Sequence, residues 1–149
     1  MMRFKENKYN RVFVGLSNLI RYVCGGDRLK RITKIIDELL KQTYFKKNKK
    51  LKILDFGCGS MEISKKIQHK KFIKKIIGLD VFDANYKYKK LQYFKYKNFS
   101  NLKKFKSDVV ILVDVLHHMG VDKSYLVLKK LSQNSNAIII KDHFEHGFF

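Results

Sequence analysis

The sequence predicts an α/β fold in which a mainly parallel sheet of about five strands carries helices on both faces. Residues 51–64, LKILDFGCGSMEIS, have the pattern of a strand, a glycine turn and a helix, because an apolar run ends at Asp55 and helical spacing resumes at Met61. Residues 108–114, DVVILVD, form a continuous apolar run, which is typical of a central parallel strand buried on both faces. A helix between two such strands predicts a right-handed parallel unit.

Two helices are expected before the sheet. Apolar residues recur at helical spacing over residues 9–23, and Gly25 and Gly26 are expected to end this first helix. A second apolar stripe follows Asp27, which is a suitable N-cap, and continues to Leu40. Helices of this kind usually pack on a sheet and cover its core.

Length and composition are consistent with one domain of 149 residues, with a helical cover at 1–46 and a core at 51–144. The apolar stretches are far shorter than the roughly 20 residues of a membrane span, and no signal-peptide pattern begins the chain. We therefore expect a soluble, cytoplasmic protein without a membrane partner. Cys24 and Cys58 lack metal-ligand spacing, so reduced thiols and no metal site are expected.

The formal net charge of +20 makes nucleic acid a candidate partner, because basic surfaces attract phosphates. Two features weaken this interpretation. The richness in lysine and the absence of proline are what an AT-rich coding sequence would produce by itself. The lysines are also spread over the chain, for example in 46–52, 65–75 and 87–97, instead of marking one arm or face. A nucleic-acid partner stays an alternative, and a small-molecule substrate is favoured.

The glycine turn at Gly57 and Gly59 is the first candidate binding element. Glycines after a strand let the backbone turn sharply and approach a ligand closely. A dinucleotide fingerprint is disfavoured because Glu62 occupies its third glycine position, and the G-K-[ST] tripeptide of a phosphate-binding loop is absent. An acidic strand end before the glycines suits a cofactor with a cationic amino-acid portion. The alternative is an ordinary turn without a ligand.

A second acid, Asp80, ends the next predicted strand, 21 residues after Gly59. A carboxylate at the carboxyl end of a parallel strand can accept hydrogen bonds from both hydroxyls of a ribose. Val81 and Phe82 follow it directly and could cover one face of an adenine. This spacing predicts an adenosine ligand, and a turn or cap aspartate is the alternative.

Four blocks of the chain resemble the class I S-adenosylmethionine-dependent methyltransferases. LDFGCGS is similar to motif I of that family, and the similarity continues through IIGLDVFD, SDVVILVDVLHHM and NAIIIKDHF, over roughly residues 51–144. The resemblance implies a Rossmann-like doubly wound fold, S-adenosyl-L-methionine as cofactor and S-adenosyl-L-homocysteine as product. The cofactor-binding residues that it implies are Asp55, Phe56, Gly57, Cys58, Gly59, Asp80, Val81, Phe82 and Asn98.

Two positions depart from the pattern of that family. Met61 stands where the family often has a third glycine, and its bulk would narrow the methionine end of the pocket. Asn98 stands where the family commonly has an aspartate that contacts the adenine amino group, and an asparagine carbonyl can accept the same hydrogen bond.

The resemblance also implies that the end of strand 108–114 faces the transferred methyl group. The catalytic candidates are Asp114, His117 and His118, together with Asp142 and His143 beyond the next predicted strand. Histidine titrates near neutral pH, so this set could include a general base. Structural histidines and capping of a loop by the last two residues are the alternatives.

The family fold continues past the fifth strand with a helix and an antiparallel hairpin, for which this chain has no residues left. Residues 137–140 would then form an exposed apolar sheet edge. The chain is therefore expected to be a fragment or truncated product, to form a homodimer through this edge, or to cover the edge with its N-terminal helices.

The sequence thus predicts methyl transfer from S-adenosylmethionine to a small-molecule acceptor. Enzymes that methylate amino groups of adenine or cytosine use a motif with two prolines, and this chain has no proline. Neither cysteine is placed as the nucleophile of a cytosine C5 enzyme. An RNA ribose methyltransferase stays open, because Asp114 and Lys141 match part of a lysine-aspartate-lysine-glutamate set. A truncated, non-catalytic domain that binds the cofactor or a partner is the further alternative.

Overall fold

A computed structural model of the chain describes the backbone of residues 8–83, 87–88, 90–96 and 99–142. Side chains are described from residue 28 onward, except those of 87–88 and 99–101. Contacts divide the chain into two compact units, Met1–Ile35 and Ile36–Phe149. The second unit contains all of the strands that the structure describes.

Helix α1 (Lys8–Lys47) is continuous where the sequence predicted two helices. The prediction of two N-terminal helices was therefore wrong, since Gly25, Gly26 and Asp27 all lie inside the helix. A glycine costs an α-helix only about 1 kcal/mol relative to alanine, whereas proline costs about 3 kcal/mol. A long helix without proline tolerates the two glycines. Whether residues 1–46 act as a cover stays a prediction.

The described residues form one six-stranded sheet in the order β3-β4-β2-β1-β5-β6. The strands are β1 (Leu51–Phe56), β2 (Ile73–Asp80), β3 (Lys87–Tyr88), β4 (Leu91–Lys95), β5 (Val109–Val113) and β6 (Ala137–Lys141). Five of them are parallel, and the short β3 pairs antiparallel with β4. Two further helices are α2 (Glu62–Ile67) and α3 (Val121–Ser132), and 3₁₀ turns span Phe99–Lys104 and Leu116–His118. The predicted α/β fold with a mainly parallel sheet of five main strands is confirmed.

The hydrophobic core explains why these segments form a central sheet. Strands β1 and β5 are buried on both faces, as their uninterrupted apolar residues predict. One face packs Leu54, Ile77 and Val110 against Leu102 and Val127. This burial holds the parallel strands in a fixed register, which in turn fixes the positions of the polar residues at the strand ends.

The ends of four parallel strands meet at one edge of the sheet, here called the carboxyl edge and formed by the last residues of β1, β2, β5 and β6 with those that follow them. In register, Asp55 lies opposite Gly78, and Phe56 lies opposite both Leu79 and Leu112. Val113 lies opposite Lys141 at the end of β6. The carboxyl edge is where ligands bind in open α/β sheets.

Strand β6 is the last strand of the sheet in the described part of the chain. Its Ile140 is 47% exposed, and a cleft of about 360 Å³ separates residues 137–140 from the stretch of α1 between Leu39 and Lys46. Pairing of two copies through β6 stays a prediction. Across the described residues, no helix combines the length and hydrophobicity of a membrane-spanning segment.

Candidate cofactor site

The glycine loop between β1 and α2 is tied to the end of β2 by backbone hydrogen bonds. The N–H groups of Gly57 and Cys58 donate to the Leu79 carbonyl oxygen at 2.7 and 3.3 Å. Gly57 and Gly59 have φ angles of 69° and 49°, in the left-handed region that glycine adopts without a steric cost. The pattern of strand, glycine turn and helix predicted from the sequence is therefore present.

Asp80 also connects the glycine loop to the end of β2, through its side chain. Its Oδ2 accepts the N–H of Gly59 at 2.7 Å, and its Oδ1 accepts the N–H groups of Val81 at 2.7 Å and Phe82 at 3.4 Å. The residue is only 8% exposed. Since a carboxylate has about four acceptor positions, Asp80 can hold the loop and still accept a hydroxyl group from a ligand.

Two apolar side chains extend into solvent beside this buried acid. Val81 is 56% exposed and Phe82 is 72% exposed. The Phe82 carbonyl oxygen accepts a hydrogen bond from the Tyr93 hydroxyl at 2.5 Å, which holds the backbone after β2 against β4. The arrangement is suited to cover a planar apolar ring. Asn98, the expected partner of the adenine amino group, lies outside the described residues.

Asp55 lies beneath the loop instead of facing solvent. Its residue is 4% exposed, and its Oδ2 accepts a hydrogen bond from Ser64 Oγ at 2.5 Å. The sequence analysis did not single out Ser64, although a polar residue three positions before Ile67 on the buried face of α2 is a signal of such a partner. Asp55 therefore supports the loop through α2. Direct contact of its carboxylate with a cofactor stays a prediction.

The pKa of Asp55 is raised to about 6, mainly by burial; the Ser64 hydrogen bond lowers it and the charge of Asp80 makes a smaller contribution that raises it. Because this pKa lies above the unfolded value near 3.8, the contribution of Asp55 to stability is complete below about pH 4. It is lost as the pH rises through 6. Asp55→Asn cannot ionise at this position. When the pH is raised from about 4 to 7.5, we therefore expect its unfolding free energy to increase relative to that of wild type by up to about 3 kcal/mol.

Urea denaturation of wild type and Asp55→Asn at the two pH values measures this difference. The matched control is Asp122→Asn, which changes an exposed carboxyl group on α3. If the difference in unfolding free energy between wild type and Asp55→Asn does not change with pH, Asp55 has no raised pKa.

Cys58 and Met61 fill part of the space between Asp55 and Asp80. A Cβ atom at Gly78, which lies opposite Asp55, would come within 2.8 Å of Cys58 Sγ and 2.7 Å of Met61 Cε. Burial also raises the pKa of the Cys58 thiol, so that this side chain behaves as a small apolar group. The loop is open at Gly59, whose N–H binds Asp80, because a Cβ atom there would meet no atom within 4 Å.

The side chain of Phe56 belongs to the core. It is 3% exposed, and its ring packs edge-on against Tyr96 with centroids 5.5 Å apart. A cofactor-binding role of this residue is thus confined to main-chain groups at the end of β1.

Met61 has a left-handed backbone conformation, which glycine adopts without a steric cost. Its φ is 58° and its ψ is 29°, and its side chain is completely buried. A non-glycine residue pays about 1–2 kcal/mol in this conformation, whereas burial of a methionine contributes about 2–5 kcal/mol. The buried side chain outweighs the backbone strain, which explains how methionine is accommodated here.

We expect both Met61→Gly and Met61→Ala to be less stable than wild type, with the glycine variant the more stable of the two by about 1 kcal/mol. Both variants lose the buried thioether, and only glycine relieves the positive φ. Urea denaturation measures the order. An alanine variant at least as stable as the glycine variant would contradict the strain at this position.

The second group of candidate residues follows β5 and β6. Asp142 Oδ2 accepts the N–H groups of Val115 at 3.2 Å and Leu116 at 2.7 Å, while its Oδ1 lies 2.6 Å from His117 Nδ1. Asp142 thus caps the 3₁₀ turn and orients the imidazole. A carboxylate at Nδ1 favours the tautomer in which Nε2 carries the lone pair, which is the arrangement of a general base.

Asp114 and His118 take different positions at the same edge. Asp114 has a φ of 55° and forms an ion pair with Lys141, so the two residues of the expected lysine-aspartate set are in contact. His118 is exposed, with its ring centroid 3.8 Å from that of His117. His143 lies outside the described residues. Within the described part of the chain, no group of three or more side chains is arranged to hold a metal ion.

Three solved structures share this architecture. The chain is similar to WbdD, solved with the kinase inhibitor LY294002, with a TM-score of 0.58 and 19% identity, covering 83% of this chain and 31% of WbdD. It is similar to the methyltransferase domain of bacterial CtHen1, with a TM-score of 0.51 and 16% identity, over 74% of this chain and 62% of that structure. The third structure is the 1,6-didemethyltoxoflavin-N1-methyltransferase of Burkholderia thailandensis with bound 1,6-didemethyltoxoflavin and S-adenosylhomocysteine. Its TM-score is 0.51 at 12% identity, over 89% of this chain and 61% of that enzyme.

The chain has the class I S-adenosylmethionine-dependent methyltransferase fold. The fold that the sequence blocks implied is thereby confirmed. The chain spans less than two thirds of each of the three solved structures. No protein-family model and no curated protein matches it by sequence.

Proposed function

We propose that this chain binds S-adenosyl-L-methionine at the carboxyl edge and transfers its methyl group to a small-molecule acceptor. The observation that carries the proposal is Asp80, a buried carboxylate that holds the glycine loop at 2.7 Å and is flanked by exposed Val81 and Phe82. An acid beside an exposed apolar pair fits the ribose and adenine of an adenosyl group. The open space at Gly59 fits a ligand that lies against the loop.

Four side chains at this edge have a role in the proposal. Asp80 accepts a hydrogen bond from a ribose hydroxyl, and Phe82 covers the adenine. When bound, S-adenosylmethionine supplies an electrophilic methyl group on a sulfonium, so the protein has mainly to orient the acceptor and remove its proton. His117 accepts that proton at Nε2 while Asp142 holds the ring at 2.6 Å.

Calorimetry with S-adenosylhomocysteine tests the cofactor, with NAD as the matched adenine-containing control. The proposal expects heat of binding with the former and none with the latter, because Glu62 stands at the third glycine position of a dinucleotide fingerprint. Absence of binding to S-adenosylhomocysteine would overturn the proposal and favour a non-catalytic interaction domain.

RNA is the second candidate methyl acceptor, favoured by the contact between Asp114 and Lys141. A screen with labelled S-adenosylmethionine separates the two acceptors. Label in small metabolites supports the leading proposal. Label in acid-precipitable RNA, lost on treatment with ribonuclease, would replace the small-molecule acceptor by RNA.

A further inference from the structure

Residues 81–83, here called the cover segment, carry exposed side chains on a backbone that is held in place. Val81 is 56% exposed and Phe82 is 72% exposed, so burial of these side chains does not fix the segment. Polar contacts fix it instead. Asp80 Oδ1 accepts the N–H groups of Val81 and Phe82, and the Phe82 carbonyl oxygen accepts the hydroxyl of Tyr93 at 2.5 Å. Both main-chain polar groups of Phe82 are therefore bonded within the chain.

Strand β4 brings Tyr93 to the cover segment. Tyr93 lies in register with Gly78 on β2, and Lys95 lies in register with Asp80. Because side chains two residues apart on a strand share a face, Tyr93 and Lys95 leave β4 on the same side. The chain bends directly after β2, and the Phe82 carbonyl group faces β4 within reach of the Tyr93 hydroxyl.

A second contact between β4 and the cover segment is an ion pair. Lys95 Nζ lies 2.5 Å from Asp83 Oδ2, and the two side chains are 42% and 81% exposed. Ion pairs this exposed contribute little to stability, because water and salt screen the charges. Tyr93 is half-buried, and its hydrogen bond to Phe82 joins uncharged groups, which salt does not screen. Tyr93 is therefore the residue of β4 that we expect to hold the segment.

An aromatic ring that covers a ligand binds it more tightly when the backbone of the ring is already fixed. A ring on a mobile segment loses conformational freedom on binding, and this loss reduces affinity. A segment that is fixed on folding has no such loss at the binding step. The Phe82 ring is exposed to solvent and stands on the fixed cover segment beside the buried acid Asp80. This combination is typical of a preformed surface for a planar base.

We propose that Tyr93 is a positioning residue of the adenosyl site. Its hydroxyl holds the Phe82 carbonyl group and thereby keeps the Phe82 ring in the position that covers a purine base. The inference rests on the proposed function, because it takes the adenine of the cofactor as that base. Tyr93 acts through Phe82, so its contribution to binding disappears when the Phe82 ring is removed.

The mobility of the cover segment tests the positioning role without a ligand. The chain contains no tryptophan, so Phe82→Trp introduces a single fluorophore. In this background Tyr93→Phe removes only the hydroxyl, and the matched control Lys95→Gln removes the exposed ion pair from the same strand. We expect the nanosecond fluorescence anisotropy of the indole to fall by about a third with Tyr93→Phe and by less than about a tenth with Lys95→Gln.

Calorimetry with S-adenosylhomocysteine measures the consequence for binding. We expect Phe82→Ala to weaken the affinity about fivefold or more, because the stacking of the base on the ring is lost. Tyr93→Phe is expected to weaken it about threefold or more, and Lys95→Gln less than about twofold. A variant that combines Phe82→Ala with Tyr93→Phe should stay within about twofold of Phe82→Ala, because Tyr93 then has no ring to position.

Unchanged anisotropy in Tyr93→Phe would overturn the positioning role, even where wild type binds S-adenosylhomocysteine. Losses of affinity that multiply in the combined variant would also overturn it, since Tyr93 would then act independently of Phe82. Absence of binding by wild type overturns the proposed function and leaves Phe82 without a base to cover, so the inference falls with it. The two failures are distinguishable because the anisotropy is measured without a ligand. Thermal denaturation of each variant shows that it is folded.

Discussion

Replacement of Asp80 by alanine is expected to weaken binding of S-adenosylhomocysteine by about tenfold or more. The carboxylate would accept a hydrogen bond from a ribose hydroxyl, and a hydrogen bond to a charged group contributes about 1.5–3 kcal/mol. The same change releases the N–H of Gly59 that Asp80 holds at 2.7 Å, so the loop also loses its attachment to β2. Calorimetric titration of the purified variant measures the loss.

Asp83→Ala is the matched control for this prediction. Asp83 lies three residues farther along the chain, its side chain is 81% exposed, and it pairs with Lys95 at 2.5 Å. Because this is an exposed ion pair, its removal should leave the affinity within about threefold. Asp80→Asn keeps acceptor capacity without the charge and is expected to fall between the two. Wild-type affinity in Asp80→Ala, with a normal thermal transition, would remove the basis of the proposed site.

Replacement of Gly57 by alanine is expected to lower the free energy of unfolding by about 2–5 kcal/mol. A Cβ atom there would lie 2.5 Å from Val115 Cγ2 and 2.9 Å from Val115 Cγ1, and the φ of 69° adds strain for any L-residue. Val115 is 6% exposed and has little room to move. Urea denaturation of the variant measures the effect.

Gly59→Ala separates strain from steric overlap. Gly59 also has a positive φ, of 49°, but a Cβ atom there would meet no atom within 4 Å. Its alanine variant should therefore lose only about 1–2 kcal/mol. Combining Gly57→Ala with Val115→Ala should cost less than the sum of the single changes, because the smaller side chain removes the overlap. Additive losses would contradict a direct contact between these two positions.

Local patterns were sufficient to predict most of the sheet and the main parts of the candidate site. The run at residues 108–114 became β5, and the strand before the glycine turn became β1, because burial on both faces requires continuous apolar residues. The sequence also predicted Asp80 at the end of β2, because an apolar run ends at this residue. The glycine turn was predictable because positive φ angles at Gly57 and Gly59 depend on local sterics.

The N-terminal helix was predicted incorrectly because glycine is a weak signal inside a long helix. Gly25 and Gly26 were interpreted as a helix end, and the backbone continues through both. The small cost of each glycine is exceeded by the hydrogen bonds of the surrounding turns. Two glycines without a proline were therefore not enough to predict the end of this helix.

The sequence alone determined the unit of strand, glycine turn and helix that begins with β1 and the acidic end of that strand, since these follow from spacing along neighbouring residues. Only the tertiary structure decided that Ser64 binds Asp55 and that Asp142 caps the 3₁₀ turn that contains His117. The first contact spans nine residues and depends on the packing of α2, whereas the contacts of Asp142 join residues 25 and 26 positions apart. These depend on strand register, which is set by pairing between distant segments and has no local signature in the sequence.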